Sequence, residues 1–133
     1  MPSERAAKWA QWAPYAVICG SLVVGIAATI ISTNVTHPLI NSTSGYLLSA
    51  VGASVYSLTM LYTHGFMLLY PDEAVEHEID PPTPGFGTGP RSHGPPETAG
   101  EAKESGVVMM VLFSLTLLGG IVATGVLTLK LLS

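Results

Sequence analysis

His64 stands in a stretch, Trp9 to Pro71, that contains no Asp, Glu, Lys or Arg. An imidazole in so apolar a run has three chemical uses. It can relay a proton, ligate the metal of a haem or chlorophyll, or hydrogen-bond a neighbouring helix. A haem held between two histidines needs a second axial ligand, and neither of the other long apolar runs contains a histidine. His64 also precedes Pro71 by seven residues, which is about 10 Å of helix, so it does not sit at mid-depth. The first expectation is therefore a polar contact to Ser, Thr or a backbone carbonyl. Haem or chlorophyll at His64 is the cofactor reading set against it.

The remaining reactive types form weaker patterns. Glu73 and His77 are spaced i,i+4, which puts both on one helix face and suits a metal. Two ligands do not make a site, and His93 would have to fold back to complete one, so no metal is expected. Gly85-Phe86-Gly87-Thr88-Gly89 has the glycines of a phosphate loop but lacks the Lys-Ser/Thr that follows in one. Cys19 is the single cysteine, which excludes an internal disulfide and reads as a small apolar residue. Asn34-Val-Thr and Asn41-Ser-Thr match the glycosylation acceptor pattern, but a turn rich in Ser, Thr and Asn produces such matches by chance. No nucleophile, base and orienting acid can be grouped, and an enzyme is not expected.

The elements that must carry these residues follow from charge placement. The chain has 133 residues, 48% hydrophobic and 11% charged, against roughly 25% charged in an ordinary soluble domain. The interval from Ser105 to Leu129 is as free of charge as that from Trp9 to Pro71. A bilayer core roughly 30 Å thick takes about 20 apolar residues in a helix. Residues 14–32, 46–70 and 107–129 meet this requirement. They lack the strict alternation of barrel strands. The fold class expected is an all-α integral membrane protein of three transmembrane helices. Residues 1–13 form an interfacial N-terminal segment, 33–45 a short external loop, 71–105 a long acidic Pro/Gly-rich loop, and 106–133 the third helix with the C-terminus. Pro14 suits a first helical turn, where its missing N–H costs nothing. Trp9, Trp12 and Tyr15 have the character of an interfacial aromatic belt. Arg5 and Lys8 ahead of the first apolar run resemble a secretory signal, but the run is read as a retained span.

At about 100° per residue each span divides into a small or polar face and a bulky one. Ser21, Gly25 and Ala28 mark the small face of the first. Ala53 and Ser57, with Tyr46, Met60 and His64, mark that of the second. Gly120 and Thr124, with Thr116, mark that of the third. Small residues at such spacing let helix backbones approach closely, so these positions are the expected packing sites, within the chain or against other subunits. The bulky residues, among them Leu48, Val55, Leu58, Tyr62, Phe66 and Leu69 of the second span, are expected to face lipid.

Between the second and third spans the composition changes. Residues 72–80 hold five acids in nine positions, and ten of the sixteen residues in 81–96 are Pro or Gly. The first part reads as a solvated acidic collar. The second resists helix and strand, and Pro81, Pro82, Pro84 and Phe86 form a polyproline-like segment suited to docking on a partner. A loop of this composition does not order alone, so its support is expected from a neighbouring subunit.

Four of the five basic residues, Arg5, Lys8, Arg91 and Lys103, fall on one side of a three-span topology, and Lys130 alone on the other. The positive-inside rule places the N-terminus and the 71–105 loop in the cytoplasm, and the 33–45 loop and C-terminus opposite. A net charge of −4 argues against a nucleic-acid partner. The partners expected are other membrane subunits and the bilayer. The layout of a short charged N-terminus, a few spans and a Pro-rich acidic loop is similar to that of small accessory subunits of respiratory and photosynthetic complexes, a resemblance of architecture alone. It implies a non-catalytic accessory subunit of an energy-transducing, electron-transfer assembly. The alternative is a small homo-oligomeric transporter or channel with His64 on its polar path.

Overall fold

A computed structural model describes residues 3–82 and 95–133. Pro84, Phe86, Arg91, His93 and the glycine run 85–89 lie outside the described residues. Within them the chain is all-helical, in the order α1 (Glu4–Asn34), α2 (Ser42–Leu69), α3 (Pro71–Glu76) and α4 (Ala99–Leu132). The helices α1, α2 and α4 are long and apolar enough to cross a membrane.

Polar caps outside the apolar runs set the helix ends. The Ser3 side chain accepts from Ala6 N–H at 3.2 Å and starts α1 ten residues ahead of the apolar span. Asn41 and Ser44 form a reciprocal capping box at the start of α2, each backbone N–H donating to the other's side chain at 3.0 Å. Thr98 accepts from Glu101 N–H at 3.2 Å and starts α4. Asn34 is engaged in the last turn of α1, its amide donating to the Ile30 carbonyl at 2.8 Å.

Because α1 starts at Glu4, Pro14 is an interior residue of the helix and not a first-turn one. It is buried, and it has no N–H to give to the carbonyl four residues back. That carbonyl belongs to Ala10, and it accepts instead from Thr63 Oγ1 of α2 at 2.6 Å. The buried residues of α1 are Ala7, Ala10 and Pro14. Their spacing of three and four puts small side chains on the stripe that lies against α2. Tyr62 Oη adds a longer bond to the Ala6 carbonyl, 3.4 Å.

The more extensive contact of α2 is with α4, and the two run antiparallel. A Cβ on Gly106 would lie 3.0 Å from the His64 carbonyl and 3.1 Å from Leu68 Cβ, Gly65 faces Met110, and Gly120 lies against Ser54. The seam on α2 thus runs through Ser54, Ser57, Leu61, His64 and Leu68, at alternating steps of three and four. Ala53, expected on this face, is exposed. It is rotated one residue off the seam, on a side that neither α1 nor α4 covers. Tyr46 is exposed as well, and Phe66, expected on the outer face, is buried with Met67, Ala7, Ala10, Ala74, Ile79 and Ala102.

Among the described residues, full burial is confined to one end. No described residue of α1 beyond Pro14, of α2 before Ser57, or of α4 beyond Phe113 is buried. The packed end is the one that carries the charged residues of α1, α3 and the start of α4. The opposite end has Lys130.

Replacing Thr63 by Val leaves the Ala10 carbonyl without a donor and is expected to cost about 1 kcal/mol. Pro14→Ala restores a donor within α1. In a Pro14→Ala background the Thr63→Val cost should shrink by at least half, a coupling that unfolding of the four proteins of the cycle in detergent measures.

Candidate functional site

Two features at the packed end bring chemistry-bearing residues together: the α2–α4 seam around His64, and the segment that follows α3.

His64 is fully buried. Its ring stacks on Phe113 of α4, with centroids 6.0 Å apart and planes 15° off parallel, and Phe113 meets Tyr56 edge-on at 5.8 Å. Met60, Met109 and Phe113 form a buried cluster flanked by Tyr56, Leu61 and Leu112. Within this apolar setting neither Nδ1 nor Nε2 of His64 has a hydrogen-bond partner, and Ser57 Oγ has none either. The interhelical hydrogen bond expected of His64 is thus absent from the structure, and Thr63, its neighbour, makes one instead.

The remaining residues singled out as packing sites divide between contact and exposure. Ser57 is buried on the seam. Gly120 contacts Ser54, and Thr124 lies half-buried beside it, its hydroxyl donating to the Gly120 carbonyl at 2.7 Å. Ser21 lies beside Gly52. A Cβ on Gly25 would meet nothing within 4 Å, and Ala28 is only partly covered. Cys19 is exposed on α1.

The acidic residues of 72–80 are exposed or half-buried, and between them the segment seats two apolar residues, Ala74 and Ile79, in the core. After α3 the chain makes a Schellman turn: Ile79 N–H donates to the Ala74 carbonyl at 3.1 Å and Glu78 N–H to the Val75 carbonyl at 3.2 Å. Glu78 occupies the left-handed position, with φ of 49°, where glycine is usual. The turn drives Ile79 into the core between α1, α2 and α4, where it is fully buried with Ala74. Beyond it the backbone is strapped to the helices. Asp80 N–H donates to Gln11 Oε1 at 2.7 Å, Tyr15 Oη donates to the Asp80 carbonyl at 2.7 Å, and Tyr56 Oη donates to the Pro82 carbonyl. Pro81 is buried and Pro82 half-buried. The support expected from a neighbouring subunit is, for residues 71–82, supplied by the chain itself, and Pro81 has no free face to dock on a partner. Sequence reasoning missed this because Tyr15 reads as a belt residue, and Tyr56 and Gln11 carry no pattern that points to the segment after α3.

Glu73 and His77 meet only through the helix backbone, His77 N–H donating to the Glu73 carbonyl at 2.9 Å. Among the described residues no three His, Cys, Asp or Glu side chains are grouped so as to hold a metal. Comparison with known proteins gives no match to a family model, a curated sequence or a solved structure.

A non-glycine residue in the left-handed region costs roughly 1 kcal/mol relative to glycine. Glu78→Gly should therefore raise the stability of the detergent-solubilised chain by about that amount, read as a higher midpoint of thermal unfolding. A fall in the midpoint would mean that the Glu78 side chain contributes more than its backbone loses.

Proposed function

We propose that this chain is a non-catalytic accessory subunit of a multi-subunit membrane complex, its helices spanning the bilayer and its outer half completed by other subunits. The observation that carries the reading is the uneven burial. One end is a closed core with its own strap. Over the other, the helices expose both their bulky and their small faces, with Val23, Ile26 and Ile30 of α1 each more than half exposed and Gly25 open. Lipid satisfies bulky faces without help. Small-residue faces gain from a helix that can approach them, since dispersion at close range is what drives association in hydrocarbon.

The positive-inside rule orients such a subunit with the packed end in the cytoplasm, since Arg5, Lys8 and Lys103 belong to that end and Lys130 to the other. An energy-transducing, electron-transfer assembly is the kind of complex that the architecture resembles. The transporter alternative has less support, because His64 lies enclosed between α2 and α4 and not along an open groove.

Native isolation from the source membrane, with mass spectrometry and an absorption spectrum of the co-migrating material, tests the proposal. The chain should migrate with larger membrane proteins, and haem, chlorophyll or flavin bands would name the system. Recovery as a small monodisperse species without any partner would overturn the reading.

A further inference from the structure

The seam around His64 gathers more than an orphaned imidazole. Met60 and His64 are one turn apart on the same face of α2, and Met109 and Phe113 one turn apart on α4. The antiparallel fit stacks Phe113 on the His64 ring and puts Met60, Met109 and Phe113 in one buried cluster. The imidazole therefore borders the cluster through Phe113, with Met60 one turn away on its own helix and Met109 one turn from Phe113 on the other. His64 and Met60 are fully buried and Met109 is 5% exposed.

A neutral imidazole carries a proton on one nitrogen and offers a lone pair on the other. Both are unpartnered here, and an unused polar group in an apolar interior costs free energy. The enclosure limits what can use the lone pair. A macrocycle has no open face to approach, since α4 lies so close at Gly106 that even a methyl group would come within 3.0 Å of the His64 carbonyl. A bare ion needs no such opening. Hard cations demand oxygen ligands, and zinc is usually held by four ligands that include thiolate, further imidazole or carboxylate. Two thioethers and one imidazole make a soft, uncharged donor set of the kind that selects monovalent copper, and the π face of Phe113 offers a cation further electron density.

We infer that one imidazole nitrogen of His64 and the Sδ atoms of Met60 and Met109 bind a single Cu(I) ion between α2 and α4. Binding is simple ligation by neutral donors. The imidazole keeps its remaining proton, and no oxidant is involved.

The test is titration of the purified full chain in detergent with Cu(I), kept reduced by ascorbate and buffered with bicinchoninate, every protein carrying Cys19→Ser so that the exposed thiol cannot take the ion. The Cys19→Ser parent should withdraw one equivalent from the chelator. Met60→Leu and Met109→Leu, which conserve volume and apolarity, should each weaken binding by at least about 100-fold, the upper range for losing even an outer-shell support of a metal site. His64→Gln should do the same. Met67→Leu, buried in the other cluster, should bind as the parent does. X-ray absorption of the copper-loaded Cys19→Ser chain, whose only sulfur donors are thioethers, should show sulfur neighbours, and it decides the matter alone if a leucine variant does not fold. Failure of the parent to compete with the chelator, copper binding unchanged in both leucine variants, or a copper ion with only nitrogen and oxygen neighbours would each overturn the inference.

Discussion

The fold turns on a single carbonyl. Ala10 loses its helical donor to Pro14, and in an apolar interior a carbonyl without a donor is costly. Thr63 supplies the missing hydrogen bond from the neighbouring helix, so the defect in α1 becomes the point at which α1 and α2 are pinned in register. From that pin the neighbouring contacts follow. Ala7 and Ala10 are small enough to bring α1 onto α2, Met67 fills the next turn, and the junction with α4 at Ala102 leaves a socket that Ile79 occupies.

The strap closes the same junction from outside. Gln11 and Tyr15 flank Pro14 on α1, and both hold the backbone of Asp80, while Tyr56 of α2 holds Pro82. A chain rich in proline offers few N–H groups, so here the helices supply most of the donors and the loop the carbonyls. Covalent connection joins α2 to α3, and these hydrogen bonds join the same segment to α1. The result is a core built at one end only, with the outer lengths of the helices left to whatever surrounds them.

The apolar spans were legible in the sequence because water-facing surface cannot be built from runs without charge, and the three long helices coincide with them. The helix ends were not, because their caps, Ser3, Asn41 and Thr98, lie beyond the apolar runs. Pro14 was misplaced for the same reason: a helix expected to begin there in fact begins at Glu4. Periodicity found the buried face of α2 at Ser57, Met60 and His64 but drew Ala53 into it and left Phe66 out. A helix flanked by two others buries two stripes, and an average over one face blurs them. The seating of Ile79 and Pro81 had no local signal, since it depends on α1 residues more than sixty positions earlier, among them Gln11 and Tyr15, together with α2 and α4.

On the proposed function, the open half of α1 is a surface for another protein. Spin labels placed singly from Ala16 to Ile31, in a chain with Cys19 replaced by Ser, report oxygen accessibility in a bilayer. Compared between liposomes of the purified chain and the native membrane, accessibility should fall in the native membrane at Ser21, Gly25 and Ala28 and stay high at Val23, Ile26 and Ile30. Equal accessibility along the stripe in both membranes would contradict the account.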